Sequence, residues 1–122
     1  MFRMKGVIPP MITPFKEDGE VDYEGLVTLV TFLRDKVDGL FITGSYGSTA
    51  LLQPEERKRI AEITMETVAD KIPVIVHVGT ADTRTAADLA RHAKALGVAA
   101  VSAVGPFYYK HNADSICDFY HG

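Results

Sequence analysis

The sequence predicts an α/β fold in which strand and helix alternate four times around a parallel sheet. Three observations predict it. Short apolar runs recur, beginning at Gly6, Leu40, Pro73 and Val98, and each ends in a turn that contains glycine. Each turn leads to a stretch with apolar residues at helical spacing. One run, Pro73-Val74-Ile75-Val76-His77-Val78, is almost continuously apolar, as a strand covered on both faces must be. Alternating units with buried strands imply a parallel sheet with right-handed crossovers. Two architectures fit. One is a four-stranded doubly wound sheet. The other is the first half of a (β/α)8 barrel, which typically needs about 250 residues.

The first unit opens with Gly6-Val7-Ile8-Pro9-Pro10-Met11-Ile12-Thr13-Pro14-Phe15, a short apolar strand. Proline cannot donate to a ladder, so only the part before Pro9 can be central in a sheet. Lys16-Glu17-Asp18-Gly19-Glu20 is a polar turn centred on Asp-Gly. Asp22 can cap a helix from residue 23 to about 35, whose apolar face is Leu26, Leu29, Val30 and Leu33. Asp38-Gly39 ends that unit and leads into a strand over 40–43. The second helix starts at Pro54, a favoured first helical residue, with Glu55 and Glu56 where the helix dipole favours negative charge. Its buried stripe is Ile60, Ile63, Thr64, Thr67 and Val68.

The third strand covers 73–78 and runs into Gly79-Thr80-Ala81-Asp82-Thr83. A helix from about 84 to 96 follows, packing through Ala87, Leu89, Ala90, Ala93 and Leu96, and Gly97 stops it. The fourth strand is 98–104. After Gly105-Pro106-Phe107-Tyr108-Tyr109-Lys110, a fourth helix begins near Asn112 or Ala113.

The chain has 122 residues, 47% hydrophobic and 24% charged, so one domain with a globular core is expected. A net charge of −3 with both signs interspersed gives no footprint for nucleic acid. No apolar run reaches membrane-span length. Met1-Phe2-Arg3-Met4-Lys5 is not of signal-peptide type, so a cytoplasmic protein is expected. The single cysteine, Cys117, excludes an internal disulfide, and beside Ile116 and Phe119 it reads as a packed thiol. His77, His92, His111 and His121 are scattered without ligand-type pairing, so no metal site is expected. His77, within a strand, reads as a core or pocket histidine. No nucleotide cofactor is indicated.

In either architecture ligands bind at the carboxyl ends of the strands. Those ends are the turns at 44–48, 79–83 and 105–110. The stretch Gly44-Ser45-Tyr46-Gly47-Ser48 is the most distinctive. Its glycines let backbone approach a ligand, and its hydroxyls and the N–H groups between them can face an anion. It lacks the lysine of a nucleotide P-loop. It therefore reads either as a plain turn or as a cradle for a small carboxylate or phosphate. Phe107-Tyr108-Tyr109 either seals the mouth of the fold or an interface, or places a phenol that can relay protons.

Four segments resemble the N-terminal half of the dihydrodipicolinate synthase / N-acetylneuraminate lyase family. They are the 6–15 stretch with Asp18-Gly19 and Asp22; Asp38-Gly39-Leu40-Phe41-Ile42-Thr43-Gly44-Ser45-Tyr46-Gly47-Ser48 with Leu52, Glu55, Glu56 and Arg57; Pro73-Val74-Ile75-Val76-His77-Val78-Gly79; and Val104-Gly105-Pro106-Phe107-Tyr108-Tyr109-Lys110. The resemblance covers essentially the whole chain. It implies a TIM barrel, with residues 1–122 forming the first four βα units of one aldolase domain. It also implies a class I aldolase that forms a Schiff base with a 2-oxo acid, pyruvate being donor or product.

By the same resemblance Ser45 binds the pyruvate carboxylate and joins a proton relay. The Tyr46 N–H is a second carboxylate donor, and Tyr108 is the relay tyrosine that reaches a neighbouring subunit's site. A homo-oligomer, a dimer of dimers in relatives, is then expected, with an aldehyde or sugar-derived second substrate.

Tyr46 stands where the family has Thr or Ser, and Ser48 where it has Glu. These changes, with Phe-Tyr-Tyr-Lys, lean towards lyases of sialic acid or 2-oxo-3-deoxy sugar acids. The Schiff-base lysine and the second relay tyrosine lie on later strands in relatives. Lys71 and Lys110 do not match that lysine's position, and Lys5, Lys16, Lys36, Lys58 and Lys94 read as surface charges. The chain alone is therefore expected to be inactive, with an open parallel edge. Two other readings remain: a 2-oxo-acid-binding or assembly protein with a degenerate site, and an autonomous flavodoxin-type domain.

Overall fold

The structure, a computed structural model, describes residues 4–122. Residues 1–3 of the stretch read for a targeting signal lie outside the described residues. In chain order the elements are α1 (Tyr23–Leu33), β1 (Leu40–Ile42), a 3-10 turn (Thr49–Leu51), α2 (Pro54–Val68), β2 (Val74–His77), α3 (Thr83–Ala95), β3 (Ala100–Ser102) and α4 (Ala113–His121). The sheet is parallel throughout and ordered β1-β2-β3, with Leu40 opposite Val74 and Ile75 opposite Ala100. An all-parallel sheet with helical crossovers is what a barrel segment requires, and the structure is consistent with one.

The expected first strand is the main correction. Residues before Phe15 run beside β1 but form only an isolated parallel bridge, Pro10 with Phe41. The Met11 N–H donates to the Phe41 carbonyl at 2.8 Å, and the Phe41 N–H to the Pro9 carbonyl at 3.1 Å. Pro9 and Pro10 have no N–H to donate, so the ladder is broken there, and among the described residues before them only one backbone bond, from the Asp38 N–H to the Val7 carbonyl at 2.9 Å, joins the two segments. The sheet therefore has three strands among the described residues, not four. The Asp-Gly turn is tight: the Lys16 N–H donates to the Glu20 carbonyl at 2.8 Å, and Gly19 takes a φ of +89°. This closes a bridge between Phe15 and Val21.

Side chains fix the helix starts. Asp22 Oδ1 accepts from the Gly25 N–H at 2.9 Å, Asp82 Oδ1 from the Thr85 N–H at 2.8 Å, and Asn112 Oδ1 from the Ser115 N–H at 2.8 Å. Glu56 reaches back to accept from the Gln53 N–H at 2.7 Å. The Asp82 cap moves the start of α3 one residue ahead of the expected one.

The core lies between the sheet and helices α1 and α2. Leu26, Val30, Leu40, Ile42 and Ile60 are fully buried there. Lys58 bridges Glu55 at 2.9 Å and Asp88 at 2.8 Å, joining α2 to α3. The sheet's other side is open. No described strand pairs beyond β3, Val101 is 47% exposed, and α4 buries only Phe119. Cys117 is exposed on α4, which corrects its reading as a packed thiol. The helix turns Phe119 inward and leaves the 117 face to solvent.

Candidate active site

The carboxyl end of β1 turns sharply because two non-glycine residues adopt left-handed backbone. Thr43 has a φ of +54° and Ser48 a φ of +58°. Thr43 is held there by its own side chain. Its hydroxyl is buried and lies 2.8 Å from the Ile42 carbonyl and 3.0 Å from the His77 carbonyl. Gly47 sits where space is tight. A Cβ there would come within 3.1 Å of the Thr43 backbone and 3.2 Å of the Met11 carbonyl. The N-terminal segment braces the same turn, where the buried Thr13 hydroxyl donates to the Gly47 carbonyl at 2.7 Å.

Inside the turn the Ser48 N–H donates to the Ser45 carbonyl at 3.1 Å, and the Thr49 N–H to the Gly44 carbonyl at 3.2 Å. Among the described residues, the N–H groups of Ser45, Tyr46 and Gly47 find no backbone acceptor. A cavity of about 330 Å³ opens beside Ser45, lined also by Ser48, Thr49, Ala50, His77, Val104 and Phe107. Thr49 Oγ1 is buried there without a hydrogen-bond partner. The carboxyl ends of all three strands therefore meet at one small concavity with hydroxyls along one wall.

Of the sequence-derived site residues, Ser45 lines this cavity and the aromatic side chains of Tyr46 and Tyr108 do not. Tyr46 is 72% exposed and Tyr108 83% exposed. Tyr108 stacks edge-on against Tyr109, with ring centroids 5.0 Å apart. The residue of that aromatic trio that faces the cavity is Phe107.

A second, adjoining cavity shares Thr49, Ala50 and Phe107 and reaches Arg57, Gly79 and Thr80. Gly79 admits a close approach between loops, since a Cβ there would lie 2.9 Å from Val104 backbone atoms.

Arg57 had no role from sequence beyond its place in the resemblance, yet it is only 4% exposed. Its guanidinium donates to the Gly79 carbonyl at 3.1 Å and to the His77 carbonyl at 2.6 Å. No carboxylate of the described residues pairs with it. Burial alone lowers its pKa. A signal was available: Arg57, Ile60, Ala61, Thr64 and Val68 fall on one helical stripe, and all are buried.

His77 is 5% exposed. The Val104 N–H donates to its Nε2 at 3.2 Å. A ring accepting at Nε2 carries its neutral-state proton on Nδ1. Arg57 Nη2, 3.4 Å from Nδ1, is then a neighbouring cation and not a donor to the ring. Burial first, and the Arg57 charge second, hold the His77 pKa below its ordinary value, against a backbone hydrogen bond with Thr43. Among the described residues no three His, Cys, Asp or Glu side chains gather within reach of one metal ion. No described helix is long and apolar enough to cross a membrane.

Comparison with known proteins matches this arrangement to one family. The model of the dihydrodipicolinate synthetase family matches residues 3–122. N-acetylneuraminate lyase of Fusobacterium nucleatum subsp. nucleatum is 36% identical over 119 residues, covering 96% of this chain and 41% of that protein. The crystal structure of CdNal from Clostridium difficile in complex with mannosamine superposes with a TM-score of 0.92 at 34% identity, over 98% of this chain and 42% of that one.

A prophage protein of the dihydrodipicolinic acid synthase family from E. coli K12, solved in complex with pyruvate, superposes with a TM-score of 0.89 at 33% identity, over 95% and 39%. The chain thus spans about two fifths of the length of these relatives. With the family model matched along nearly its whole length and its fold shared with these enzymes, the chain belongs to the dihydrodipicolinate synthetase family.

Proposed function

We propose that this chain is the N-terminal half of a (β/α)8-barrel aldolase. It supplies four βα units of one domain, the first strand being reduced here to its proline-limited bridge. The reaction is carbon–carbon bond cleavage or formation through a Schiff base between a lysine and a 2-oxo acid, with pyruvate as donor or product.

One observation carries the reading: Ser45 lines a cavity at the meeting of three strand ends, beside backbone N–H groups with no backbone acceptor. Hydroxyl and amide donors around a small concavity suit a carboxylate. Ser45 then binds carboxylate and passes a proton, and the Tyr46 N–H is a second donor. Tyr108 is exposed and does not line the cavity, which suits a role as relay tyrosine for a neighbouring subunit in a homo-oligomer. The lysines expected to lie at the surface do not line this cavity, so the Schiff-base lysine belongs to the rest of the barrel, and the 122-residue chain alone is inactive. Similarity to N-acetylneuraminate lyase and to the mannosamine complex favours a sialic acid or related sugar-acid substrate. A cytoplasmic enzyme is the matching location.

Borohydride trapping with pyruvate tests this. The chain alone should give no stable adduct, and a polypeptide joining it to the C-terminal portion of a family member should give one. An adduct on the chain alone, or none on the joined protein, contradicts the reading. One observation favours a second reading. The Tyr46 side chain is turned away from the cavity, which suits a site that binds a 2-oxo acid without turning it over. Pyruvate binding by calorimetry, without turnover in the joined protein, would select it.

A further inference from the structure

Arg57 presents a physical problem that carboxylate binding at Ser45 does not absorb. A cation is buried on α2 with carbonyl oxygens for partners and no anion. Taking such a charge out of water without a counter-ion is costly. What the arrangement provides in return is geometric. Arg57 grips two carbonyls of one segment, His77 and Gly79, which bracket the carboxyl end of β2. The His77 carbonyl also takes the Thr43 hydroxyl from the end of β1. The His77 ring takes the Val104 N–H just past β3. One residue of α2 thus reaches the ends of all three strands through His77, and His77 is part of the cavity wall.

We propose that Arg57 is the positioning residue of this site. By holding the His77 and Gly79 carbonyls and setting its charge beside the ring it fixes where His77 sits and keeps the ring neutral, and through that ring, whose Nε2 accepts from Val104, it fixes the Val104 segment that leads to Phe107. A fork with several fixed donors suits this task, and a lysine's single ammonium does not. Protonating His77 at Nε2 would remove the acceptor for Val104 and set a second cation against Arg57. The charged group facing the ring, among the described residues, is Arg57 itself; Thr43 contributes backbone and hydroxyl only. The consequence for ligand binding rests on the carboxylate reading above. The positioning role does not.

The test is nitrogen-15 NMR of the histidine side chains in the wild-type chain and in Arg57→Met and Arg57→Lys, with amide exchange of Val104 followed in each. In the wild type the His77 ring should be the Nδ1–H tautomer, titrate below an ordinary histidine, and protect the Val104 amide. Arg57→Met should raise the titration midpoint, leaving the part that burial causes, and speed Val104 exchange. Arg57→Lys should keep a cation and a lowered midpoint but lose part of the Val104 protection.

A wild-type ring protonated at Nε2, an ordinary wild-type midpoint, or a folded Arg57→Met with unchanged midpoint and exchange overturns the proposal. If Arg57→Met does not fold, the wild-type tautomer and the Arg57→Lys exchange decide it. Pyruvate titrated into the same samples separates the two ideas. Binding lost only in Arg57→Met extends the role to the ligand. No binding in the wild type removes the carboxylate reading and leaves the His77 result to stand by itself.

Discussion

The Thr43 hydroxyl lies 3.0 Å from the His77 carbonyl, across the ends of two neighbouring parallel strands. Thr43 is buried with a left-handed φ, so the bond holds a conformation that a β-branched residue otherwise avoids. This contact sets where the 44–48 turn begins and so where Ser45 sits.

Thr43→Val keeps the shape and loses the hydroxyl. It should destabilise the chain by about 1–2 kcal/mol, read as a lower urea midpoint with an unchanged slope. An unchanged midpoint would show that the hydroxyl does not hold the turn.

His77 gives stability a pH dependence. Its pKa is depressed in the folded state, so the unfolded chain binds the proton more readily. The stabilisation is therefore complete above the unfolded value of about 6.5 and is lost as pH falls through the lower folded value. Urea midpoints should fall between pH 7.5 and 5.5, and less so in His77→Asn. Equal slopes in the two proteins would contradict the assignment.

Ser45→Ala should weaken pyruvate binding by about tenfold or more, the effect of removing a hydrogen bond to a charged group. Ser48→Ala should have the smaller effect, because its hydroxyl only lines the cavity wall and is given no carboxylate contact in this reading. Titration calorimetry measures both.

Leu26 is fully buried between α1 and the sheet. Leu26→Ala should cost about 2–5 kcal/mol, with Val27→Ala, which is exposed, as the near-neutral control in the same denaturation series.

Cys117 is exposed. It should react fully with a thiol reagent under native conditions, and a reaction that needs denaturant would show that its face is covered in solution.

Much of this was legible in the sequence. Pro54, Asp22 and Asn112 mark helix starts through local chemistry, and each sits at or beside the expected boundary. The 74–77 run declared a buried strand by its unbroken apolarity. The Ser45 turn stood out because glycines and hydroxyls alternate at a strand end, although the same residues also make an ordinary turn. What failed depended on tertiary context. Pro9 and Pro10 cut the first strand to one bridge, although the apolar residues before them read as a full strand. Cys117 looked packed because Ile116 and Phe119 are apolar, but only Phe119 found something to pack against. Arg57 was missed because a charge on a helix is ordinarily solvated, and only the meeting of three strand ends shows where its guanidinium goes. Thr43 was missed for the same reason: a positive φ cannot be read from a threonine.

The central claim is that the 44–48 turn holds the carboxylate of a 2-oxo acid in the cavity faced by His77 and Phe107. Its most direct measurement is a pyruvate titration followed by backbone amide chemical shifts, with pyruvamide as the uncharged control. The account predicts shifts concentrated at Ser45, Tyr46, Gly47 and Thr49, with pyruvamide binding far more weakly. Shifts confined to the open β3–α4 side, or equal responses to pyruvate and pyruvamide, would contradict it.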